Sequence, residues 1–474
     1  MVAAPLIIAY FAAWSIYSRG YNVYDIPGDI ITHINYAFAN IGSDGVLALG
    51  DSWADVEKAF PGDTWDQPLR GNFNQLRILK KLHPHLQTLI SVGGWTWSGK
   101  FSDVALTAAS RSKFAKSCVD FILQYGFDGV DLDWEYPVSG GLTGNIVRPE
   151  DKQNYVSLLK EIRTQLDTVG AQNGKKYLLT VATGAGTERI NDMDLPGMSA
   201  YLDWINVMTY DFHGGWEAKT GHNAPLYKND AETATDIDPS FIKSRYNCHA
   251  SIQAYLAAGT PRSKIVMGLG LYGRGWQGVT SAAQNGFSQI ASSQLPMGTW
   301  ENGIYDYDDL KNRFLPTYTR YWDDASKVPY LYNSSTGIWI SYDDLQSIGL
   351  KNDYIKNEQL AGAMFWELSG DRNSELVGAT YAALFNGATP APVTSGPTVA
   401  TVPTTAQTNA PGGSTAAPAT TQIPSGNILP WTTGKLYNVG DRVTYEGKTY
   451  ECRQTHTSIE GWTPSAVAAL WHLI

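Results

Sequence analysis

Three acidic residues alternate with apolar ones in one short stretch of this chain. Residues 127–136 read FDGVDLDWEY, which places Asp131, Asp133 and Glu135 at every second position. Because the side chains of a β-strand alternate between its two faces, the three carboxyl groups share one face and an apolar set shares the other. Burying a carboxylate costs several kcal/mol unless it is paired or neutralised, and no Lys or Arg lies nearby in the sequence. A salt-bridged acidic strand is therefore disfavoured, and the row predicts a catalytic site.

The spacing of the three acids suggests a division of roles. Cleavage of a glycosidic bond usually employs two carboxyl groups on opposite sides of the bond. Asp133 and Glu135 lie roughly 7 Å apart along one strand, so they approach a substrate from one side. If Glu135 is the acid, the nucleophile comes from elsewhere, and an N-acetyl group on the substrate sugar is a candidate. Asp133 would orient that group, and Asp131 would crowd Asp133 so that the pair shares a proton.

The acidic row lies in one of eight strand patterns that alternate with helix patterns. Predicted strands cover 5–14, 33–40, 87–95, 129–135, 177–184, 204–211, 265–273 and 361–368, and predicted helices include 73–82, 111–125 and 150–169. Eight strand-then-helix units predict an α/β fold, a (β/α)₈ barrel. Catalytic groups of such barrels belong at the C-terminal ends of the strands, where Glu135 lies.

The pattern also predicts how the chain divides into domains. Residues 1–386 would form the barrel, with a small α+β insertion domain at 275–355 between strands seven and eight, because structureless loops of that length are rare. Residues 387–427 contain no charged and no aromatic side chain, which predicts an extended Ala/Thr/Pro-rich linker. Residues 428–474 would form a small all-β module rich in aromatic side chains.

Composition excludes several classes of function. The chain has 474 residues, 16 Trp and 27 Tyr but only 17% charged residues, and such a surplus of rings suggests stacking on flat ligands such as sugars. A net charge of −10 argues against nucleic-acid binding. Neither a membrane span, a targeting segment nor a metal-binding motif is visible, and we expect no cofactor. The three cysteines, Cys118, Cys248 and Cys452, cannot form a disulfide framework.

Five motifs in order resemble those of family 18 glycoside hydrolases, the chitinases. Asp128-x-x-Asp131-x-Asp133-x-Glu135 is similar to the family signature. The other four are SVGGW at 91–95, MTYD at 208–211, YGR at 272–274 and FWE at 365–367. The resemblance covers nearly all of 5–385 and implies a barrel that cleaves bonds between N-acetylglucosamine units with substrate assistance.

The resemblance also implies roles for individual residues. Glu135 would protonate the glycosidic oxygen, Asp133 would turn between Asp131 and the acetamido group, and Tyr210 would donate its hydroxyl to the acetamido carbonyl. Trp366 would form the floor of the site, in a peptide with Glu367 that the family often holds cis. The remaining substrate-binding residues would be Tyr10, Phe38, Trp95, Met208, Asp211, Trp216 and Arg274. For the aromatic residues, core packing is the alternative, most seriously for Phe38.

The C-terminal segment resembles carbohydrate-binding modules of families 5 and 12. It carries a Tyr-x-x-Gly-Asp-x-Val-x-Tyr-x-Gly-x-x-Tyr pattern from Tyr437 and a closing Trp471. Trp462, which follows Gly461 on a predicted turn, is the candidate for a ring that stacks on chitin.

These features together predict a secreted, monomeric chitinase that acts on chitin and N-acetylglucosamine oligomers with retention of configuration. Two alternatives stay open. A chitin-binding lectin of the same fold would typically lack the acid that Glu135 supplies. An endo-β-N-acetylglucosaminidase acting on N-glycans is disfavoured by the insertion and by the chitin-type module.

Overall fold

The computed structural model describes residues 4–64, 66–233, 244–385, 429–438, 440–452, 456–458, 463–464 and 471–473. These residues fall into two compact units, one before and one after the predicted linker. The predicted linker itself lies outside the described residues, and the four domain boundaries stay predictions. Within the described ranges, no helix is long and apolar enough to cross a membrane.

The first unit is built around a closed barrel of parallel strands. The first strand pairs with both the second and the last, which closes the sheet. This arrangement confirms the (β/α)₈ barrel predicted from the alternating pattern. The eight barrel strands, numbered first to eighth in chain order, are Leu6–Ala12, His33–Ile41, Gln87–Gly93, Gly129–Asp133, Leu178–Gly184, Trp204–Met208, Ile265–Gly270 and Gly362–Trp366.

Helices pack around the outside of the barrel through the apolar faces of the strands. Val130, Leu132 and Trp134, on the face opposite the acids, belong to this outer core. The helices begin and end at residues suited to those positions. One helix starts at Thr107, whose side chain accepts from the backbone N–H of Ser110, and ends at a left-handed Gly126. The longer helices are Gly71–Leu82, Ala108–Tyr125, Asp151–Asn173, Cys248–Ala257, Leu345–Asn357 and Glu375–Phe385.

Six of the eight barrel strands, including the one that carries the acids, end two or three residues earlier than the sequence pattern predicts, and the sixth and seventh end three residues earlier. The sixth ends at Met208, and Asp211, predicted to lie within it, adopts a left-handed backbone conformation with φ of 59°. The seventh ends at Gly270, and the Leu271 N–H still donates to the carbonyl of Trp366 at 2.8 Å. Tyr210, Asp211 and Tyr272 consequently lie in the segments beyond the barrel strands, at their C-terminal ends.

A five-stranded antiparallel sheet stands between the seventh and eighth barrel strands. Its strands, in spatial order, are Ile304–Asp306, Tyr272–Trp276, Ile338–Ser341, Val328–Asn333 and Thr319–Asp323. The sheet has an aromatic core of its own, made by Trp276, Phe287, Tyr330, Tyr332 and Trp339. It corresponds to the predicted α+β insertion.

The second unit is a small all-β fold. One sheet contains Leu429–Pro430, Arg442–Tyr445, Lys448–Cys452 and Trp471–Leu473, and a second pairs Leu436–Tyr437 with His456–Thr457. Its buried core comprises Tyr437, Val443, Tyr450, Cys452 and Trp471. The predicted stacking residue Trp462 lies outside the described residues.

Candidate active site

Asp131 lies inside the barrel, and both of its carboxylate oxygens accept hydrogen bonds. It is completely buried. It accepts hydrogen bonds from four side chains on four other barrel strands: Tyr10 Oη at 2.7 Å, Ser91 Oγ at 2.7 Å, Thr180 Oγ1 at 2.6 Å and Asn206 Nδ2 at 3.3 Å. Burial raises the pKa of Asp131, and these hydrogen bonds lower it without cancelling the rise.

Asp133 is the opposite case. It is 4% exposed, yet its Oδ1 has no hydrogen-bond partner among the described residues. Burial, followed by the charges of Glu135 and Asp131, raises its pKa well above the ordinary value. A buried oxygen without a partner is costly. Asp133 is therefore suited to bind a hydrogen-bond donor that a substrate brings.

Glu135 follows the end of the fourth strand and is partly buried. Burial raises its pKa to about 7, the hydroxyl of Tyr136 opposes the rise by hydrogen bonding, and the charge of Asp211 adds to it. A carboxyl group whose pKa is raised to about 7 is partly protonated at neutral pH, which lets it act as a general acid.

Backbone contacts fix the direction of the Glu135 main chain. Its N–H donates to Ser98 Oγ at 2.9 Å, and its carbonyl accepts from Asn145 Nδ2 at 3.1 Å. Gly94, with φ of 71°, is needed here because a Cβ atom at this position would lie 2.7 Å from the ring of Phe38. The glycines after the third strand thus support the site by their small size.

Tyr210 lies across the barrel opening from the acids. Its side chain is 8% exposed, and its hydroxyl donates to the Met364 Sδ atom at 3.7 Å, a weak contact that a better acceptor can replace. Met208, at the end of the same strand, packs on the same interior cluster. The hydroxyl of Tyr210 is consequently available to a carbonyl oxygen of a bound ligand.

Asp211 is the centre of a polar group on the rim. It accepts a 2.6 Å hydrogen bond from Arg274 Nε and another from the hydroxyl of Tyr272. The guanidinium of Arg274 also lies 4.7 Å from the centroid of the Trp216 ring. These contacts join the loop after the sixth strand to the insertion sheet.

An aromatic cluster forms one wall of the opening. The Trp366 ring lies 5.4 Å from that of Tyr10 and 5.7 Å from that of Phe38, with the latter pair stacked. Phe38 is 8% exposed, so it packs against this wall and also borders the opening. The Trp366–Glu367 peptide bond is cis.

Two tryptophans project from the rim. Trp95 is 50% exposed and Trp216 is 58% exposed. Trp95 lies on the short helix Gly94–Trp97 and Trp216 lies on a turn. Exposed rings beside a polar opening are suited to stacking on sugar faces. Contacts connect Tyr10 with Asp131, Trp366 with Tyr10 and Phe38, and Asp211 with Arg274, whereas the place of Trp95 and Trp216 in a substrate cleft stays a prediction.

Several residues at the site carried no signal that singled them out in the sequence. Trp14 lies 6.4 Å from Trp366 and 6.2 Å from Phe38 between ring centroids, and Arg189 lies 5.0 Å from the centroid of Tyr136. Thr180 and Asn206 bond Asp131 from isolated positions on their strands. Ser91 and Tyr272, by contrast, stand within recognised motifs. Among the described residues, no three His, Cys, Asp or Glu side chains group as metal ligands.

A buried acid row with aromatic walls, at the C-terminal end of a parallel barrel, defines the site of a glycoside hydrolase. The chain belongs to the glycosyl hydrolases of family 18, whose pattern matches residues 6–371. A second match, to carbohydrate-binding module family 5/12, covers residues 430–472.

Curated relatives include two enzymes named as chitinases. Chitinase A1 of Niallia circulans is 49% identical over 426 residues, which are 83% of this chain and 60% of that protein. Endochitinase 1 of Metarhizium robertsii is 38% identical over 368 residues, 77% of this chain and 81% of that protein. This chain therefore spans well under two thirds of the length of the first relative.

Solved structures of similar proteins share the fold. Chitinase ChiA74 from Bacillus thuringiensis has a TM-score of 0.76 at 40% identity, covering 82% of this chain and 70% of that one. The catalytic domain of psychrophilic chitinase B from Arthrobacter TAD20 has a TM-score of 0.75 at 36% identity, covering 83% and 98%.

Proposed function

We propose that this chain is a chitinase that hydrolyses β-1,4-linked N-acetylglucosamine polymers with retention, through the N-acetyl group of the substrate. The observation that carries the proposal is the contrast within the acid row. Asp131 has four donors, Asp133 has a buried oxygen without a partner, and Glu135 has a pKa of about 7. The chitinase relatives support the choice of substrate.

The geometry supports a role for each acid. Glu135 gives its proton to the glycosidic oxygen as the bond breaks. Asp133 Oδ1 accepts the acetamido N–H, while the Tyr210 hydroxyl donates to the acetamido carbonyl. That carbonyl oxygen attacks the anomeric carbon, so no protein carboxylate has to act as nucleophile. Water then opens the cyclic intermediate, and Glu135 accepts a proton from that water.

The remaining site residues hold the sugar. Trp366, with Tyr10 and Phe38, would support the sugar at the cleavage point. Asp211, Met208 and Arg274 would border it, and Trp95 and Trp216 would stack on the leaving-group side. Their positions around the opening fit these roles.

The C-terminal module would bind the insoluble polymer. Binding there raises the effective concentration of the barrel at the chitin surface without changing the chemistry. Trp462 is the proposed stacking residue. We further propose that the protein acts outside the cell and as a monomer.

The role of the N-acetyl group can be tested with two soluble polymers. The chain should hydrolyse partly acetylated chitosan and N-acetylglucosamine oligomers but leave fully deacetylated chitosan intact. Initial products followed by ¹H NMR should be β-anomers, since retention is expected. Equal rates on acetylated and deacetylated polymers, or an α-product, would rule out substrate assistance.

A second comparison tests the alternative functions. Release of oligosaccharides from colloidal chitin but not from a glycoprotein indicates a chitinase, and the reverse indicates an N-glycan endoglycosidase. Binding to chitin without any release of oligosaccharides indicates a lectin.

A further inference from the structure

A buried histidine lies between two carboxylates in the loop that follows the sixth barrel strand. His213 is 3% exposed, with Nδ1 2.8 Å from Glu217 Oε2 and Nε2 2.9 Å from Glu232 Oε1. The first contact is a hydrogen bond, whereas the second is an ion pair whose direction departs from hydrogen-bond geometry.

The contacts of His213 indicate that it carries a positive charge. Burial alone would lower its pKa, but hydrogen bonding and charge from Glu217 and Glu232 outweigh burial and raise it to about 10. The Tyr246 ring lies 6.3 Å away, and the His222–Asp323 pair acts on Glu232 from the other side. Without the imidazolium, Glu217 and Glu232 would face each other as buried acids of like charge.

The position of His213 links two ends of one loop. It stands two residues after Asp211, Glu217 directly follows Trp216, and Glu232 lies much further along the chain. Gly221 packs on the imidazole so closely that a Cβ atom there would lie 2.6 Å from its Cγ atom. The histidine therefore ties together the start, the middle and the far part of the segment.

Two contacts hold Trp216 and the residue after it in place. The guanidinium of Arg274 covers its ring at 4.7 Å, and the carbonyl of the next residue, Glu217, accepts from Trp276 Nε1 at 3.2 Å. Releasing Glu217 from His213 would loosen one of the two attachments, although neither His213 nor Glu217 borders the acid row.

We propose that His213 is a positioning residue for the leaving-group side of the cleft: by binding Glu217 and Glu232, it fixes Trp216 where a sugar beyond the cleavage point stacks. The inference rests on the proposed chitinase activity. We expect the effect to be largest on long substrates, whose leaving group offers several sugar faces to Trp216.

The test compares two substrates in full-length protein. H213Q and E217Q should raise KM for N-acetylchitohexaose about tenfold, the equivalent of one lost stacking contact, with kcat within twofold. KM for an aryl chitobioside, whose leaving group is one ring, should change less than twofold. The double variant H213Q/E232Q, which removes one of the two uncompensated acids, should regain part of the loss in KM.

H83Q is the control, because His83 Nδ1 lies 2.9 Å from Asp29 Oδ1 at the C-terminal end of helix Gly71–Leu82, in a different part of the chain. It should leave both KM values unchanged. If KM rises equally on both substrates in folded H213Q and E217Q, or if KM for the hexamer does not change, the inference is wrong. E217Q decides the matter should H213Q fail to fold. A wild-type chain that cleaves neither substrate would overturn the proposed function first, and the inference with it.

Discussion

Asp131 and Asp133 lie two residues apart on one strand and have opposite hydrogen-bonding states. Asp131 accepts from Tyr10, Ser91, Thr180 and Asn206, whereas Asp133 Oδ1 has no partner among the described residues. Two adjacent acids of one face therefore serve different purposes. The first holds the barrel interior together, and the second stays available to a ligand.

This difference predicts stability changes of opposite sign. Asp131→Asn replaces an acceptor oxygen with a donor facing donors, and we expect a loss of about 1–3 kcal/mol. Asp133→Asn removes a carboxyl group whose charged form is disfavoured by burial and by the charges of Glu135 and Asp131, so it should raise the free energy of unfolding. Thermal unfolding at pH 7.5 should show a lower Tm for Asp131→Asn and a higher Tm for Asp133→Asn, with activity reduced in both. Equal shifts would contradict the distinction.

Replacing the proposed acid should separate binding from turnover. Glu135→Gln keeps the size of the side chain but provides no proton of suitable pKa, so kcat on N-acetylchitohexaose should fall at least a hundredfold. Calorimetry should show oligomer affinity within about threefold of wild type. Substantial residual turnover in that variant would remove Glu135 from its role.

The pH dependence of hydrolysis follows from the environment of Glu135. Its pKa is raised to about 7, and the acid must be protonated, so kcat/KM should fall as the pH rises through about 7. Tyr136→Phe removes a hydrogen bond that lowers this pKa, so the fall of kcat/KM should move to higher pH. Asp211→Asn removes a charge that raises the pKa, so the fall should move to lower pH. Shifts of the same sign in both variants would contradict the assignment of this fall to Glu135.

The C-terminal module should matter only on insoluble substrate. Trp462→Ala should weaken binding to crystalline chitin about tenfold while changing hydrolysis of soluble oligomers less than twofold. Pull-down on crystalline chitin and hexamer kinetics provide the two measurements, and Trp471→Ala is a contrasting variant because Trp471 is 2% exposed in the core of the unit. A parallel loss on both substrates with Trp462→Ala would contradict the division of labour.

Much of the barrel was predictable from the sequence, since alternation of apolar and polar residues reports a strand locally. That alternation predicted Asp131 and Asp133 on one face of the fourth strand, whereas Glu135 lies beyond the strand, which ends at Asp133. The donors to Asp131 were not predictable in this way, because Thr180 meets it only through the pairing of the fourth and fifth strands, and Asn206 reaches it from the sixth strand. Arg189 above Tyr136 and Trp14 beside Trp366 are likewise non-local contacts between segments that no short motif connects.

Strand ends were also poorly predicted, for a physical reason. Residues 209–211 continue the β-rich composition of the sixth strand, but Asp211 turns to bind Arg274 and Tyr272 on the insertion. The partner that ends the strand lies more than sixty residues further along the chain, where a local pattern contains no information about it.

The bonds to Asp131 also have a consequence for how the enzyme comes into being. Its donors start at Tyr10 and end at Asn206, and the wall of the site is completed by Trp366 on the last strand. A fragment that stops short of the eighth strand would lack Trp366 and the pairing that closes the sheet, so we expect it to be inactive. We therefore expect activity to appear during synthesis only after the eighth strand has paired with the first.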